Sequence, residues 1–262
     1  MRRITANATH LAATLAATAA AVLVGFAMPL PAQALTITLV GDGPNAVTGS
    51  GKEVSVARKV GAFSVLRLDS SVDVNAHQGA AQAVTVLADD NIEPLVETVV
   101  EGDTLVVRLK KGTSFRTNHK MLVDVTFTAL SGSQQHGSGD LHIDRLAGPR
   151  FESSIAGSGD LHIDSAQVGA FALSIAGSGD VTIGSGTADE ARFGIDGSGD
   201  IDAHNFAARK VAVHISGSGD ARVNATESLD ARVAGSGDVT YAGHPHDVSR
   251  KVSGSGSIES AR

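Results

Sequence analysis

The chain has no cysteine and no tryptophan, and only one tyrosine and six prolines among 262 residues. Without cysteine there are no disulfides and no cysteine-linked lipid anchor, so stability has to come from ladder hydrogen bonds and packing. Without tryptophan, aromatic platforms that stack on sugars are poorly supplied. Aromatics reach only 3% against 42% hydrophobic residues, which suits a thin β-coil core filled by Val, Ile, Leu and Ala. So few prolines with so many hydrophobics exclude a disordered chain. The 30 glycines lack the every-third spacing of collagen. Positive charge is scarce too. The formal net charge of −7 argues against nucleic acid and anionic lipid as partners.

What the sequence does have is repetition. Gly-Ser-Gly-Asp occurs six times, ending at Asp140, Asp160, Asp180, Asp200, Asp220 and Asp238, with an altered copy at Gly254-Ser255-Gly256-Ser257. The paired glycines are Gly137 and Gly139, Gly157 and Gly159, Gly177 and Gly179, Gly197 and Gly199, Gly217 and Gly219, and Gly235 and Gly237. The first four intervals are 20 residues and the next is 18. A fixed period of this length marks an array whose units cannot bury their apolar faces alone.

Around each tetrapeptide, apolar residues alternate with polar ones. In Phe171-Ala172-Leu173-Ser174-Ile175 and in Val181-Thr182-Ile183 every second residue is apolar, the period of a half-buried strand. Each tetrapeptide is therefore a corner, with glycines supplying positive φ and the Asp carboxylate taking backbone N–H groups just ahead of it. Two and four residues before the first glycine lie Ile155 and Ser153, Ile175 and Leu173, Ile195 and Phe193, Ile215 and Val213, and Val233 and Ala231. This regularity predicts an all-β parallel β-solenoid with coils of about 20 residues, like residues stacking at roughly 4.8 Å. The alternative is an antiparallel meander closing into a barrel or sandwich, with each tetrapeptide as a hairpin loop.

Three regions follow. Residues 1–34 read as a signal peptide: Arg2 and Arg3, an apolar run from Leu11 to Ala27, Pro29 and Pro31, then Ala32-Gln33-Ala34 as the cleavage site. Its removal takes two arginines and no acid, moving the charge from −7 to −9. Residues 35–130 form a β-rich region with degenerate repeats, in which Ser70-Ser71-Val72-Asp73 is a worn copy of the corner and Gly112 to Lys120 a solvated basic loop. Residues 131–262 are the Gly-Ser-Gly-Asp solenoid, continuous with the preceding region. The expected location is export, to periplasm, cell surface or medium, with no stable membrane insertion after signal removal.

Candidate chemistry centres on the aspartates and histidines. In-register stacking puts the corner carboxylates about 5 Å apart, where neighbours repel by roughly 1 kcal/mol in water. Hydrogen bonding within each turn offsets this; calcium between coils is the other possibility, although the period and corner differ from those of calcium-binding β-rolls. His142 and His162, in two Leu-His-Ile-Asp copies, point outward on consecutive coils and stack. Two such ligands with nearby Asp could take zinc or copper but are fewer than a closed site needs, so a solvated face is expected there and at His244 and His246. No cofactor is expected.

The run Arg58 to Phe63, then Val72-Asp73-Val74, Ala88-Asp89-Asp90-Asn91, Thr98 to Gly102 and Thr104 to Val107, followed by the corners and Asp238 to Pro245, resembles the auto-transporter adhesin head GIN domain family. The resemblance covers about residues 45–260 and implies an exported bacterial β-helix-like domain without established catalytic residues. No outer-membrane barrel or long stalk follows within the sequence, so a complete auto-transporter is not expected.

The function expected is non-enzymatic binding or structural support at the envelope, adhesin-like, toward a glycan or protein ligand. Outward Ser154, Ser174, Thr182 and Ser216 with the Asp column supply the face. The alternative is a polysaccharide lyase or hydrolase, since β-helices include such enzymes. Against it, the aspartates are equivalent, Arg222 and Arg232 sit in Asp-Ala-Arg-Val copies, and no His keeps a fixed offset from the corner serines. Open solenoid ends call for a cap or a dimer.

Overall fold

The computed structural model describes residues 46–261; the signal segment lies outside them. From Gly132 onward the chain winds as a parallel β-solenoid, each strand pairing with the segment one coil further on. Within Leu141–Ile155 and Leu161–Gly177, Leu141 faces Leu161, Phe151 faces Phe171 and Ile155 faces Ile175. The same columns continue through Gly186–Gly197, Ile201–Gly217, Ala221–Gly235 and Asp247–Gly254, all parallel. The antiparallel meander is thereby excluded for the repeats.

Alternation explains the packing. Leu141, Leu161, Val181, Ile201, Ala221 and Val239 form one buried file, and Ile155, Ile175, Ile195, Ile215 and Val233 another. Side chains fill the space between them. Ring centroids of Phe171 lie 5.7 Å from Phe151, 6.0 Å from Phe193 and 5.2 Å from Phe206. Burying each such ring contributes about 1.5–3 kcal/mol. Polar groups enter the core where the repeats begin. Ser133 and Ser153 share a buried hydroxyl bond of 2.8 Å, and Gln135, facing Ile155, donates its amide to the Asp160 carbonyl at 2.9 Å.

The 18-residue interval is absorbed by two register shifts, one between Asp202 and Ala207 and one between Ala208 and Lys210. Asp202 pairs with Arg222, an offset of 20, but Ala207 pairs with Asn224 and Lys210 with Ser228, offsets of 17 and 18. The longer coil bulges there, while Phe206 keeps its place in the inward file of Leu146, Ala166 and Gly186 and packs against Phe171.

The N-terminal region joins the same sheet in an order the chain does not follow. Val65–Leu68 and Asp73–Gln78 flank the worn corner and make one coil. On one side it pairs in parallel with Gly132–Gln135 and Leu141–Ile155. On the other it pairs in parallel with Thr104–Leu109 and Leu122–Phe127. Beyond these the direction reverses. Val96–Glu101 lies antiparallel to Thr104–Leu109, Ala83–Asp89 to Leu122–Phe127, and Glu53–Arg58 to Ala83–Asp89.

The C-terminal end is managed as an exposed sheet edge is. At the C-terminal end Arg250 occupies an inward file opposite Ala231, its guanidinium 5.0 Å over the Tyr241 ring and bonded to the phenol oxygen. An inward charge on the last strand discourages further pairing. Among the described residues no helix is long and apolar enough to cross a membrane.

Candidate functional site

The corners form a ladder of their own. The N–H of Asp160 donates to Asp140 Oδ1 at 3.0 Å, and the pattern repeats at 2.8, 2.8, 2.7 and 2.8 Å for Asp180, Asp200, Asp220 and Asp238. It begins one coil earlier, where Asp140 N–H donates to Asp73 Oδ1 at 3.0 Å, and ends where Ser257 N–H donates to Asp238 at 2.7 Å. The carboxylate thus serves the next coil rather than its own turn, which corrects the local turn bond expected from the sequence. Meanwhile the residue after each Asp donates to the Asp carbonyl of the next coil, as Leu141 does to Asp160 at 2.9 Å. Side chain and carbonyl together carry two strands of hydrogen bonding around a bend that would otherwise leave donors unpaired.

Close approach dictates the glycines, which corrects the positive φ expected of both: of the corner pairs, Gly177, Gly197, Gly217 and Gly235 have it, and the second glycine of each pair does not. A Cβ on Gly157 would lie 2.2 Å from the Gly137 carbonyl oxygen, and one on Gly159 would lie 2.3 Å from that of Gly139. The Asp carboxylates themselves stay exposed. Among the described residues they make no group of three ligand atoms close enough to share an ion.

One flank beside the corners carries histidine–aspartate contacts. His142 Nε2 and His162 Nε2 lie 2.9 and 3.0 Å from the same oxygen, Asp164 Oδ1, and the two rings are 5.2 Å apart. The His142 hydrogen bond is the main cause that holds the Asp164 carboxyl below its usual range. His77 Nδ1 meets Asp144 at 3.2 Å, and His204 Nδ1 meets Asp202 at 2.5 Å. The stacking of the two imidazoles was legible in the duplicated Leu-His-Ile-Asp; their shared carboxylate was not.

The opposite flank presents ion pairs two residues apart on single strands: Arg150–Glu152 at 3.0 Å, Arg192–Glu190 at 2.8 Å and Arg232–Asp230 at 2.7 Å. Between them Ala172, Ser174, Gly194 and Ala212 keep the surface low, leaving a shallow open depression of about 330 Å³. A second, of about 570 Å³, runs on past Lys210, Ser228 and Asp247. Of the predicted face residues, Ser174, Thr182 and Ser216 are exposed and Ser154 is half-buried. Only Ser154 and Ser174 stand opposite one another on this flank.

Sequence reasoning missed a buried tie near the N-terminal end. Asp89 is 2% exposed; its carboxylate takes His119 Nδ1 at 2.6 Å and the Thr117 hydroxyl at 2.7 Å. The hydrogen bond to His119 holds the Asp89 carboxyl below its ordinary value and lifts the His119 imidazole above its own. Asp90 accepts the Ser50 hydroxyl at 2.6 Å, and Asn91 bridges the Ser50 N–H and the Thr48 carbonyl at 2.9 and 2.7 Å. The segment read as a solvated loop is therefore fastened: Phe115-Arg116 pairs with Val47-Thr48, and Phe115 packs against the core. The signal for it was the unbroken Asp89-Asp90-Asn91 itself, three short polar side chains directly after a strand.

Residues 62–245 match the family described as "Putative auto-transporter adhesin, head GIN domain". The chain belongs to this family. Among solved structures, this GIN domain chain is similar to "a putative adhesin" from Bacteroides fragilis, at 30% identity and a TM-score of 0.79, covering 82% of this chain and 100% of that one. It is also similar to a "Putative lipid binding protein" from Parabacteroides distasonis, at 28% identity and a TM-score of 0.68, covering 83% and 100%. A "putative adhesin" from Parabacteroides distasonis, 24% identical with a TM-score of 0.67 over 83% and 100%, shares the fold. No curated protein matches the sequence. The tie at Asp89 to Asn91 gives a physical role to one of the stretches in which this chain resembles the GIN domain family.

Proposed function

We propose that the protein is an exported, non-enzymatic binding module, adhesin-like, that engages a polar glycan or protein surface along its charged flank. The observation that carries this reading is the recurrence of an Arg paired with Glu or Asp on every second coil of that flank, around small residues on the coils between. Interleaved charges of both signs offer hydrogen-bond donors and acceptors in a fixed array, matching a ligand rich in hydroxyls or amides better than a polyanion. Extended arrays of this kind bind through many weak contacts.

The lipid-binding description of the Parabacteroides distasonis relative is the other ligand class to weigh. Here Phe127, Phe151, Phe171 and Phe206 fill the interior, so an acyl chain has no lumen to enter. That favours a surface ligand.

Screening the purified chain against immobilised glycans and matrix proteins tests the proposal. Binding that weakens at least about tenfold in an Arg192→Glu, Arg232→Glu variant supports it. No binding to any polar surface, or turnover of a polysaccharide, would sink it. Fractionation of the producing cell tests export.

A further inference from the structure

Two imidazoles and one carboxylate meet on the histidine flank. His142 and His162 are register partners on adjacent parallel strands, so the ladder fixes their lateral spacing. Asp164 follows His162 by two residues and therefore projects from the same face. Among the described residues this is the one group of three or more His, Asp or Glu whose ligand atoms all lie within 4.8 Å of one another. The strands beneath are held on both sides, His142 facing Asn75 as well as His162, and His162 facing Thr182 as well.

We propose that His142, His162 and Asp164 form a surface site for a divalent first-row transition metal, with zinc as its type ligand. Zinc binds imidazole nitrogen and carboxylate oxygen at about 2.0–2.2 Å, so neighbouring ligand atoms of a tetrahedral site sit roughly 3.4 Å apart. The two nitrogens now lie 2.9 and 3.0 Å from Asp164 Oδ1, about half an ångström short of that spacing, and within 4.8 Å of each other, so small adjustments of all three bring them to it. Side chains 40%, 49% and 49% exposed make that movement by small rotations about their own bonds, with no backbone change. On binding, each imidazole offers an Nε2 lone pair with its ring proton on Nδ1, the Asp164 carboxylate supplies the oxygen, and water completes the coordination.

The donor set decides the class of metal. Two nitrogens and one oxygen suit zinc, copper and nickel, whereas calcium and magnesium take oxygen ligands in larger number. The neighbouring contacts His77–Asp144 and His204–Asp202 bring a single imidazole to each carboxylate and so offer one ligand fewer. They serve as internal controls.

The test is calorimetric titration of the purified chain, prepared without a polyhistidine tag, with zinc chloride in chelator-free buffer. One saturable equivalent is expected, insensitive to excess calcium, and cobalt in place of zinc should give the visible absorption of a four-coordinate ion. A His142→Ala, His162→Ala double variant should lose affinity at least about tenfold, and Asp164→Asn should weaken binding, while His204→Ala matches wild type. Metal-free melting of each variant checks its folding. No heat with the wild-type chain, or an unchanged affinity in the folded double variant, overturns the assignment.

Discussion

Replacing Gly217 by alanine asks whether the corners are as tight as the ladder requires. Its φ is +143°, where a side chain costs about 1–2 kcal/mol. A new Cβ would stand 2.1 Å from the Gly197 carbonyl oxygen, and carbon and oxygen ordinarily keep more than about 3 Å apart. That oxygen already accepts the Ser218 N–H at 2.9 Å, so relieving the clash stretches a rung worth about 1 kcal/mol and spreads the coils locally. Together these predict a loss of about 2–3 kcal/mol, a sizeable part of the 5–15 kcal/mol typical of a whole domain. Gly148 is the matched control: it lies in a strand but nothing would come within 4 Å of its Cβ. Gly148→Ala should leave stability within about 0.5 kcal/mol or raise it slightly. Urea unfolding followed by far-ultraviolet circular dichroism measures both. Tyr241, the single tyrosine, lies buried in the following coil and reports the C-terminal coils by fluorescence. Its transition should precede the dichroism change in Gly217→Ala. Equal stability of the two variants would refute the close-approach argument.

Other expectations follow from the ladder and the buried tie. Asp180→Ala leaves the Asp200 N–H without its partner and should cost about 1 kcal/mol, while Asp180→Asn, which keeps an acceptor oxygen, should cost less than about half of that; thermal melts compare them. Because the corner carboxylates form a file of like charges, wild-type stability should rise with moderate salt, a gain that Asp→Asn substitutions along the file diminish. For Asp89, the depressed carboxyl contributes stability above its unfolded value near 3.9, lost as the pH falls through the lower folded value. The raised His119 contributes below its unfolded value near 6.5, lost as the pH rises through the higher folded one. The tie is therefore strongest between about pH 4 and 6.5, and His119→Ala should flatten the alkaline side of the wild-type stability profile over pH 5–9.

The repeat part of the fold was legible because its information is local and copied. Period-two alternation named the inward files, the near-constant interval named the register, and even the degraded Ser70-Ser71-Val72-Asp73 held its place, with Asp73 accepting the first rung. Less legible was anything depending on distant partners. The Asp oxygen's partner sits one coil away, a distance no local turn rule reaches. Asp164 gathers both histidines because of lateral stacking, while Asp89 and His119 are 30 residues apart and meet only through folding. The antiparallel cap escaped for a similar reason, since Val84 and Val86 alternate alike whichever way their neighbours run.

The coil made by Val65–Leu68 and Asp73–Gln78 has a consequence for timing. Both of its flanks are synthesised later, one ending at Phe127 and the other beginning at Gly132. A chain delivered N terminus first must hold this opening turn unmatched until its bracketing segments arrive. Closing the longer loops adds only about 0.6 kcal/mol per doubling, so the delay bears on when the rod can start to set rather than how firmly it sets. Pairing of that interior coil along both of its edges therefore requires the chain to be complete to at least Gln135.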